Sequence, residues 1–222
     1  MPEREFFVAD IFNEVDEDVR KEKSLALWKA YGKYVIALVI LIVAGTAAYV
    51  GWQNYQQSRA EAEGAAFAAA STLAAEGSNA DAAAAFADLA EEGSKGYSAL
   101  ASLREAAALI DAGEGAKALA VYDRLAADSS VEPAFAALAD LMAGYYLLDN
   151  GTTDQVRSRI AGLIEPGALW NASANELLAL SHIKDGDAAK AREVLSLIQN
   201  DAEAPDMIKG RASQLLDALE GK

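Results

Sequence analysis

The sequence predicts an all-α chain: a single transmembrane helix near the N-terminus, followed by an α-solenoid of helical hairpins. Three features carry that reading. An apolar run stands at Val35–Trp52, alanine supplies 51 of the 222 residues, and stretches of helical periodicity recur at a near-constant distance downstream. Alanine is the strongest helix former and buries little surface per residue, so the helices are expected to approach closely around a thin core. No strand-type alternation competes with this pattern.

The first segment, residues 1–33, is expected to be helical and cytoplasmic. DIFNEVDEDVRKEKSLALWKAYGK, Asp10 to Lys33, is acidic in its first half and basic in its second, an order that complements a helix dipole. Asp16 with Arg20 and Glu17 with Lys21 are i, i+4 pairs, each contributing about 0.3–0.5 kcal/mol when exposed. Phe12, Val15 and Val19 recur at spacings of three and four and give the segment one apolar face, for a partner or the membrane surface.

The second segment, 34–52, is the expected transmembrane anchor. No charged residue falls between Lys33 and Arg59, and Val35–Trp52 would extend roughly 27 Å as a helix, close to the thickness of a bilayer core. The run follows 33 mostly polar residues, unlike the short basic leader of a signal peptide. Thr46-Ala47-Ala48 would also serve as a small-residue cleavage site, in which case the mature chain would begin near Tyr49. Trp28, Tyr31 and Tyr34 at one end and Tyr49, Trp52 and Tyr55 at the other form two aromatic belts, the arrangement that headgroup regions favour. Arg20, Lys21, Lys23, Lys29 and Lys33 precede the run and only Arg59 follows it closely. That bias places the N-terminus in the cytoplasm and residues 53–222 across the membrane.

The chain has no cysteine, which removes disulfide frameworks, cysteine catalysis and lipoprotein-type processing. Residues 53–222 carry 13 Lys and Arg against 26 Asp and Glu, a net charge of −13. Such a field repels phosphate backbones and anionic lipid surfaces, so nucleic acid is not an expected partner.

Residues 53–222 read as one domain of repeats. LIDAGEGAKALAVYDRL from Leu109 and HIKDGDAAKAREVLSLI from His182 share an Ala-Lys-Ala core offset by 73 residues, room for two units of 36 to 37. Phe86 and Tyr122 lie 36 apart, and Gly113, Gly151 and Gly186 follow at steps of 38 and 35. These periods are close to the roughly 34 residues of a tetratricopeptide helix pair. Breaks are expected at Gly77-Ser78-Asn79, Gly93–Gly96, Gly113-Glu114-Gly115, Asn150-Gly151, Pro166-Gly167, Asp185-Gly186-Asp187 and Pro205. They divide Arg59–Gly221 into about nine helices, the last of which, Asp206–Glu220, would cover the apolar face of the terminal repeat. Apolar stripes run through Leu100, Leu103, Ala107 and Ile110; Phe135, Leu138, Met142 and Tyr145; Ala191, Val194, Leu195 and Ile198; and Ile208, Ala212, Leu215 and Leu219.

Catalytic chemistry finds few candidates. His182 is the only histidine, the serines lie in no nucleophile elbow, and GSKG and GEGAK lack the spacing of a phosphate loop. Asp149, Asp154, Asp185 and Asp187 do not follow calcium-loop spacing. No enzymatic activity, cofactor, metal or small-molecule substrate is expected. The aromatics Tyr97, Tyr122, Phe135, Tyr145, Tyr146 and Trp170 have two possible roles, a peptide-binding face or core packing. Tyr145 and Tyr146 point about 100° apart on a helix and are expected to differ in burial.

DIFNEVDEDVRKEK, LWKAYGKYVIA and GWQNYQQSRAEAEGAAFAAA together resemble the opening of membrane-anchored bacterial proteins of the tetratricopeptide-like family that includes the ancillary subunit of the SecYEG translocon. The resemblance implies one helix in the bacterial inner membrane, a periplasmic repeat domain, and protein partners among translocon components and periplasmic chaperones. The function it implies is an interaction scaffold in protein export. A holdase for exported chains and a cell-envelope or cell-division organiser built on similar repeats remain alternatives.

Overall fold

The computed structural model describes the backbone of residues 4–221 and the side chains of residues 25–221. Among the described residues there are nine α-helices and no strand, distributed over two units, Met1–Arg59 and Ala60–Lys222. Helix α1, Arg4–Ala75, makes up the first unit and contributes its last turns to the second.

In the first unit, large apolar side chains from Val35 to Val50 are 45 to 69% exposed. A helix that is apolar on all sides is stable only inside a large core or a bilayer, and this one is long and apolar enough to cross a membrane. The Thr46 hydroxyl in the run is satisfied locally, its Oγ1 donating to the Ile42 carbonyl at 2.8 Å. The helical pairs expected at Asp16/Arg20 and Glu17/Lys21, and the face of Phe12, Val15 and Val19, lie outside the described side chains.

The second unit continues with α2 (Asn79–Glu92), α3 (Lys95–Asp111), α4 (Gly115–Ala127), α5 (Pro133–Asn150), α6 (Thr153–Arg159), α7 (Asn171–Lys184), α8 (Ala188–Asn200) and α9 (Asp206–Glu220). Even-numbered helices begin at steps of 36, 38 and 35 residues, odd-numbered ones from α3 at 38, 38 and 35, the period read from the sequence. Each helix from α2 onward packs on the next. In addition α3 meets α5, α5 meets α7 and α7 meets α9, whereas the even helices do not meet one another. The odd helices therefore form the inner row of a curved stack, and α9 closes it.

The hairpin turns share one chemistry. Gly77, Gly113 and Gly186 have φ of +82°, +79° and +78°, which a residue with a β-carbon adopts only under strain. Each ends its helix in a Schellman motif. Around Gly113, the Gly113 N–H donates to the Ile110 carbonyl at 2.9 Å and Glu114 N–H to Leu109 at 2.8 Å; the same pair recurs from Gly186 to Ile183 and Asp187 to His182. The Ala-Lys-Ala repeat of the sequence is thus the first turn of α4 and of α8.

The hairpin at Gly151 departs from this pattern. Gly151 is extended, with φ −132°, and the carbonyls at the end of α5 accept instead from Lys184 Nζ, which reaches Leu148 O at 2.5 Å from α7. Thr152 and Gln155 then form a capping box at the start of α6, satisfying two orphan donors. Helix α6 is only seven residues long, and 160–170 is irregular. A break at 128–132, absent from the sequence reading, separates α4 from α5. Asp128 Oδ1 accepts from Ser130 N–H at 2.8 Å there, and Pro133 opens α5, a position proline favours.

The core is richest in aromatic rings at its start, where Phe67 of α1 meets Phe86 edge-on at 5.3 Å and Tyr97 at 6.3 Å. Of the stripes expected on α8 and α9, Ala191, Leu195, Ile198, Ile208, Ala212 and Leu219 are buried in one cluster, with Val194 and Leu215 half-buried against it. On α3 and α5 the expected stripes are the shallower faces. Leu100 is exposed and Leu103, Ile110, Phe135 and Leu138 half-buried, while Ala99, Ala106, Ala108, Ala139, Ala143 and Gly144 are buried, together with Leu109 and Leu141. These helices touch neighbours on several sides, so the smallest residues take the closest crossings. A β-carbon at Gly144 would stand 2.7 Å from Leu177 Cδ2 and 2.9 Å from Ile160 Cγ2.

Candidate partner-binding site

The aromatics singled out in the sequence fall into different environments. Tyr122 is 3% exposed, a core residue with no face for a partner, and burial pushes its phenol up to about 12. Tyr97 is half-buried against Phe67. Tyr145 and Tyr146 are both half-buried, each turned toward a different repeat. Burial first, then the Glu176 carboxylate, raise the Tyr145 phenol. The Tyr146 phenol occupies the space a β-carbon would need at Gly115.

Trp170 is the candidate that presents a surface. It is 44% exposed and has φ +63°, the one positive value outside glycine among the described residues, a costly conformation for a bulky side chain. It precedes α7 at the end of the irregular 160–170 connector. Its indole N–H donates to the Ala134 carbonyl of α5 at 3.2 Å, and Asn171 Nδ2 donates to the carbonyls of Leu163 and Glu165 at 3.1 and 2.8 Å, folding the connector back on itself. Beside it lies a groove of about 290 Å³ lined by Gly167, Trp170, Ala172, Glu203, Pro205 and Ile208. Leu169, adjacent in sequence, is 53% exposed and Met207 is 74% exposed. Leu169, Glu203 and Met207 escaped the sequence reading. The Pro166-Gly167 and Pro205 breaks marked their connectors, but nothing marked which side chains would remain uncovered.

An equivalent groove four helices earlier lies between the α2–α3 and α4–α5 connectors, lined by Gly93, Lys95, Ser98, Asp128, Val131 and Phe135. At the other end of the hairpins is a polar pocket between the turns that precede α6 and α8, with Thr152, Arg157 and His182 in its wall. Its charges pair locally, Arg157 with Asp154 at 2.7 Å and Lys190 with Asp187 at 2.8 Å. The hydrogen bonds from the Lys190 side chain and backbone hold the Asp187 carboxyl below its usual range. His182 is buried and stands four residues before Gly186, where the other repeats have Leu73, Leu109 and Leu147. Among the described residues no group of three or more His, Cys, Asp or Glu comes together to hold a metal ion.

An ion pair with a buried carboxylate joins α7 to α9. Arg211 Nε and Nη2 donate to the two oxygens of Glu176 at 2.6 and 2.5 Å, the carboxylate being buried. The hydrogen bond to Glu176 raises the Arg211 guanidinium above its ordinary value. Burial of Glu176 is compensated by both donors, so the pair ties the terminal helix to the stack.

In the first unit, Trp28, Tyr31, Tyr34, Tyr49, Trp52 and Tyr55 are all exposed. The Trp28 ring lies over Gly32, Lys33 Nζ stands 5.0 Å from the Tyr34 ring centroid, and Trp52 and Tyr55 are 6.1 Å apart. Of the positive residues read as topology determinants, Lys29 and Lys33 are exposed; Arg20, Lys21 and Lys23 lie on α1 outside the described side chains.

A family model described as a tetratricopeptide repeat-like domain matches residues 26–197. No curated protein and no solved structure matches the chain.

Proposed function

The chain belongs to the tetratricopeptide repeat-like domain family, and on that footing we propose that it is a membrane-anchored interaction scaffold in the bacterial inner membrane. Residues 34–52 cross the bilayer, residues 1–33 stay in the cytoplasm, and residues 53–222 hold periplasmic partners close to the membrane. The observation that carries this reading is the joining, in one chain, of an apolar helix exposed on all sides to a stacked repeat domain.

The resemblance of the first 70 residues supports a place beside the Sec translocon, with periplasmic chaperones as partners of the repeats. Anchoring confines the domain to a thin layer, so a partner of moderate affinity meets it at raised effective concentration. The net charge of −13 on residues 53–222 favours partners with basic or neutral surfaces and makes their binding sensitive to salt. Cross-linking in native membranes followed by mass spectrometry tests the proposal. Translocon components and chaperones are the expected neighbours; division proteins without any translocon component would overturn it.

A further inference from the structure

We propose that the groove beside Trp170 captures an extended, basic segment of a protein partner and seats one apolar side chain of that segment against the indole. This rests on the scaffold reading and names the site and the chemistry it selects. The two connectors that frame the groove carry the case. Residues 160–173 and 200–208 contain Glu165, Asp201, Glu203 and Asp206 and no lysine or arginine. Of the cations bordering these segments, Arg159 is committed to Asp123 and to Asp140, the latter at 3.2 Å, and Lys209 alone follows.

Asp201 Oδ1 accepts from the Glu203 N–H at 2.9 Å, while the Glu203 residue itself lines the groove beside Trp170, Pro205 and Ile208. An apolar floor with Glu203 in its wall, on connectors whose charged residues are all acidic, matches a peptide in which a large aliphatic residue is flanked by lysine or arginine. The groove volume of about 290 Å³ is at the small end for binding sites and admits one large side chain.

The platform is also held ready. The indole N–H is tethered to Ala134 on α5, Asn171 clamps the connector through two carbonyls, and Trp170 keeps a strained backbone that the surrounding contacts maintain. Strain of this kind collects at ligand clamps, and a pre-ordered ring loses little freedom when a partner arrives. An anionic lipid surface and a second copy of this acidic chain are both opposed by the four carboxylates.

The test uses the full chain in zwitterionic phosphatidylcholine nanodiscs, carrying Trp28→Phe and Trp52→Phe so that Trp170 is the only indole. The probes are the peptides KKLKK, KKGKK and EELEE, capped at both ends. A saturable change in Trp170 emission is expected with KKLKK and none with EELEE. Affinity is expected to fall about tenfold or more with KKGKK, or with Glu203→Lys in the protein. By anisotropy of labelled KKLKK, Trp170→Ala should lose binding to a similar degree and Trp170→Phe should retain most of it. An unchanged circular-dichroism melt for Glu203→Lys shows that the fold is intact.

A flat titration, equal response to EELEE, or indifference to Glu203→Lys would overturn the proposal. Quenching of Trp170 by brominated lipid in the absence of peptide would overturn it in favour of bilayer contact. A photo-cross-linker placed in native membranes at Leu169 or at Arg104, on the inner row, separates the two levels. Partners captured at Arg104 and none at Leu169 refute the groove alone; none from either position refutes the scaffold reading itself.

Discussion

Between Val35 and Val50, leucine, isoleucine and valine side chains stand about half exposed, whereas in Ala60–Lys222 Leu177, Leu195 and Ile160 are fully buried. The residue types are the same; the surroundings differ. In the repeat domain the buried apolar side chains are covered by neighbouring helices, with α9 covering the last hairpin. In the first unit no helix does so, and a bilayer is the solvent proposed to take that place. Polar chemistry follows the same division, Thr46 turning its hydroxyl back onto its own helix while Glu176 finds Arg211 one helix pair away.

The strongest way to break this contrast is to charge the exposed helix. Ile40→Lys with Val43→Lys costs about 2.5–3.5 kcal/mol per residue at the centre of a membrane helix. The double variant is expected to leave the membrane fraction on carbonate extraction, and residues 59–221 made alone are expected to be soluble and helical by circular dichroism. Retention of the double variant in membranes would remove the bilayer from the explanation.

Core truncations test the other side. Phe86→Ala is expected to cost about 3–5 kcal/mol and Leu195→Ala about 2–5 kcal/mol in urea melts of the repeat domain. Leu138→Ala should cost less than either, since Leu138 is only half-buried. Equal losses at Leu138 and Leu195 would contradict the burial pattern of α5.

Alkaline pH probes the same core without making a cavity. The Tyr122 phenol keeps its proton in the folded chain up to about pH 12, whereas an unfolded tyrosine loses it near pH 10. Below pH 10 both states are protonated and the contribution is fully present. Between 10 and 12 the unfolded state alone releases a proton, so stability falls as pH rises, by about 1.4 kcal/mol per unit. Tyr122→Phe should flatten that part of the decline; a parallel decline in the variant would place the phenol in water.

Glycines give the smallest and most local contrast. Gly144→Ala is expected to destabilise by about 1–3 kcal/mol through overpacking against Leu177 and Ile160. Gly210→Ala, in α9 with open space around it, should stabilise by about 0.5–1 kcal/mol. Thermal melts of the two variants should shift in opposite directions.

These pairs also show what was legible in the sequence. The Gly113 and Gly186 turns could be read because one backbone solution, a Schellman cap at positive φ, was written twice with an acidic residue and then Ala-Lys-Ala after it. The stripes of α8 and α9 could be read because those helices bury a single face. Helices α3 and α5 could not, since a helix with neighbours on several sides buries its alanines together with a different set of leucines, Leu109 and Leu141, and leaves Leu103 and Leu138 half-covered. The Asp128–Glu132 break was signalled by Asp128-Ser129-Ser130 and Pro133 and lacked only a glycine. Trp170 was visible as an aromatic, but its exposure depends on the short α6 and the connector after it, where the repeat itself breaks down.

The measurement that bears most directly on the proposed arrangement uses the absence of native cysteine. A single cysteine is introduced in turn as Ser130→Cys, in the exposed turn before α5, and as Pro2→Cys, ahead of α1. Each chain is then challenged with a membrane-impermeant maleimide in cells whose outer membrane alone has been permeabilised. Rapid labelling of Ser130→Cys, with Pro2→Cys labelled only after the inner membrane is dissolved, is the expected result. Labelling at Pro2→Cys with Ser130→Cys protected, or equal labelling of both, would contradict a cytoplasmic N-terminus joined through one span to a periplasmic repeat domain.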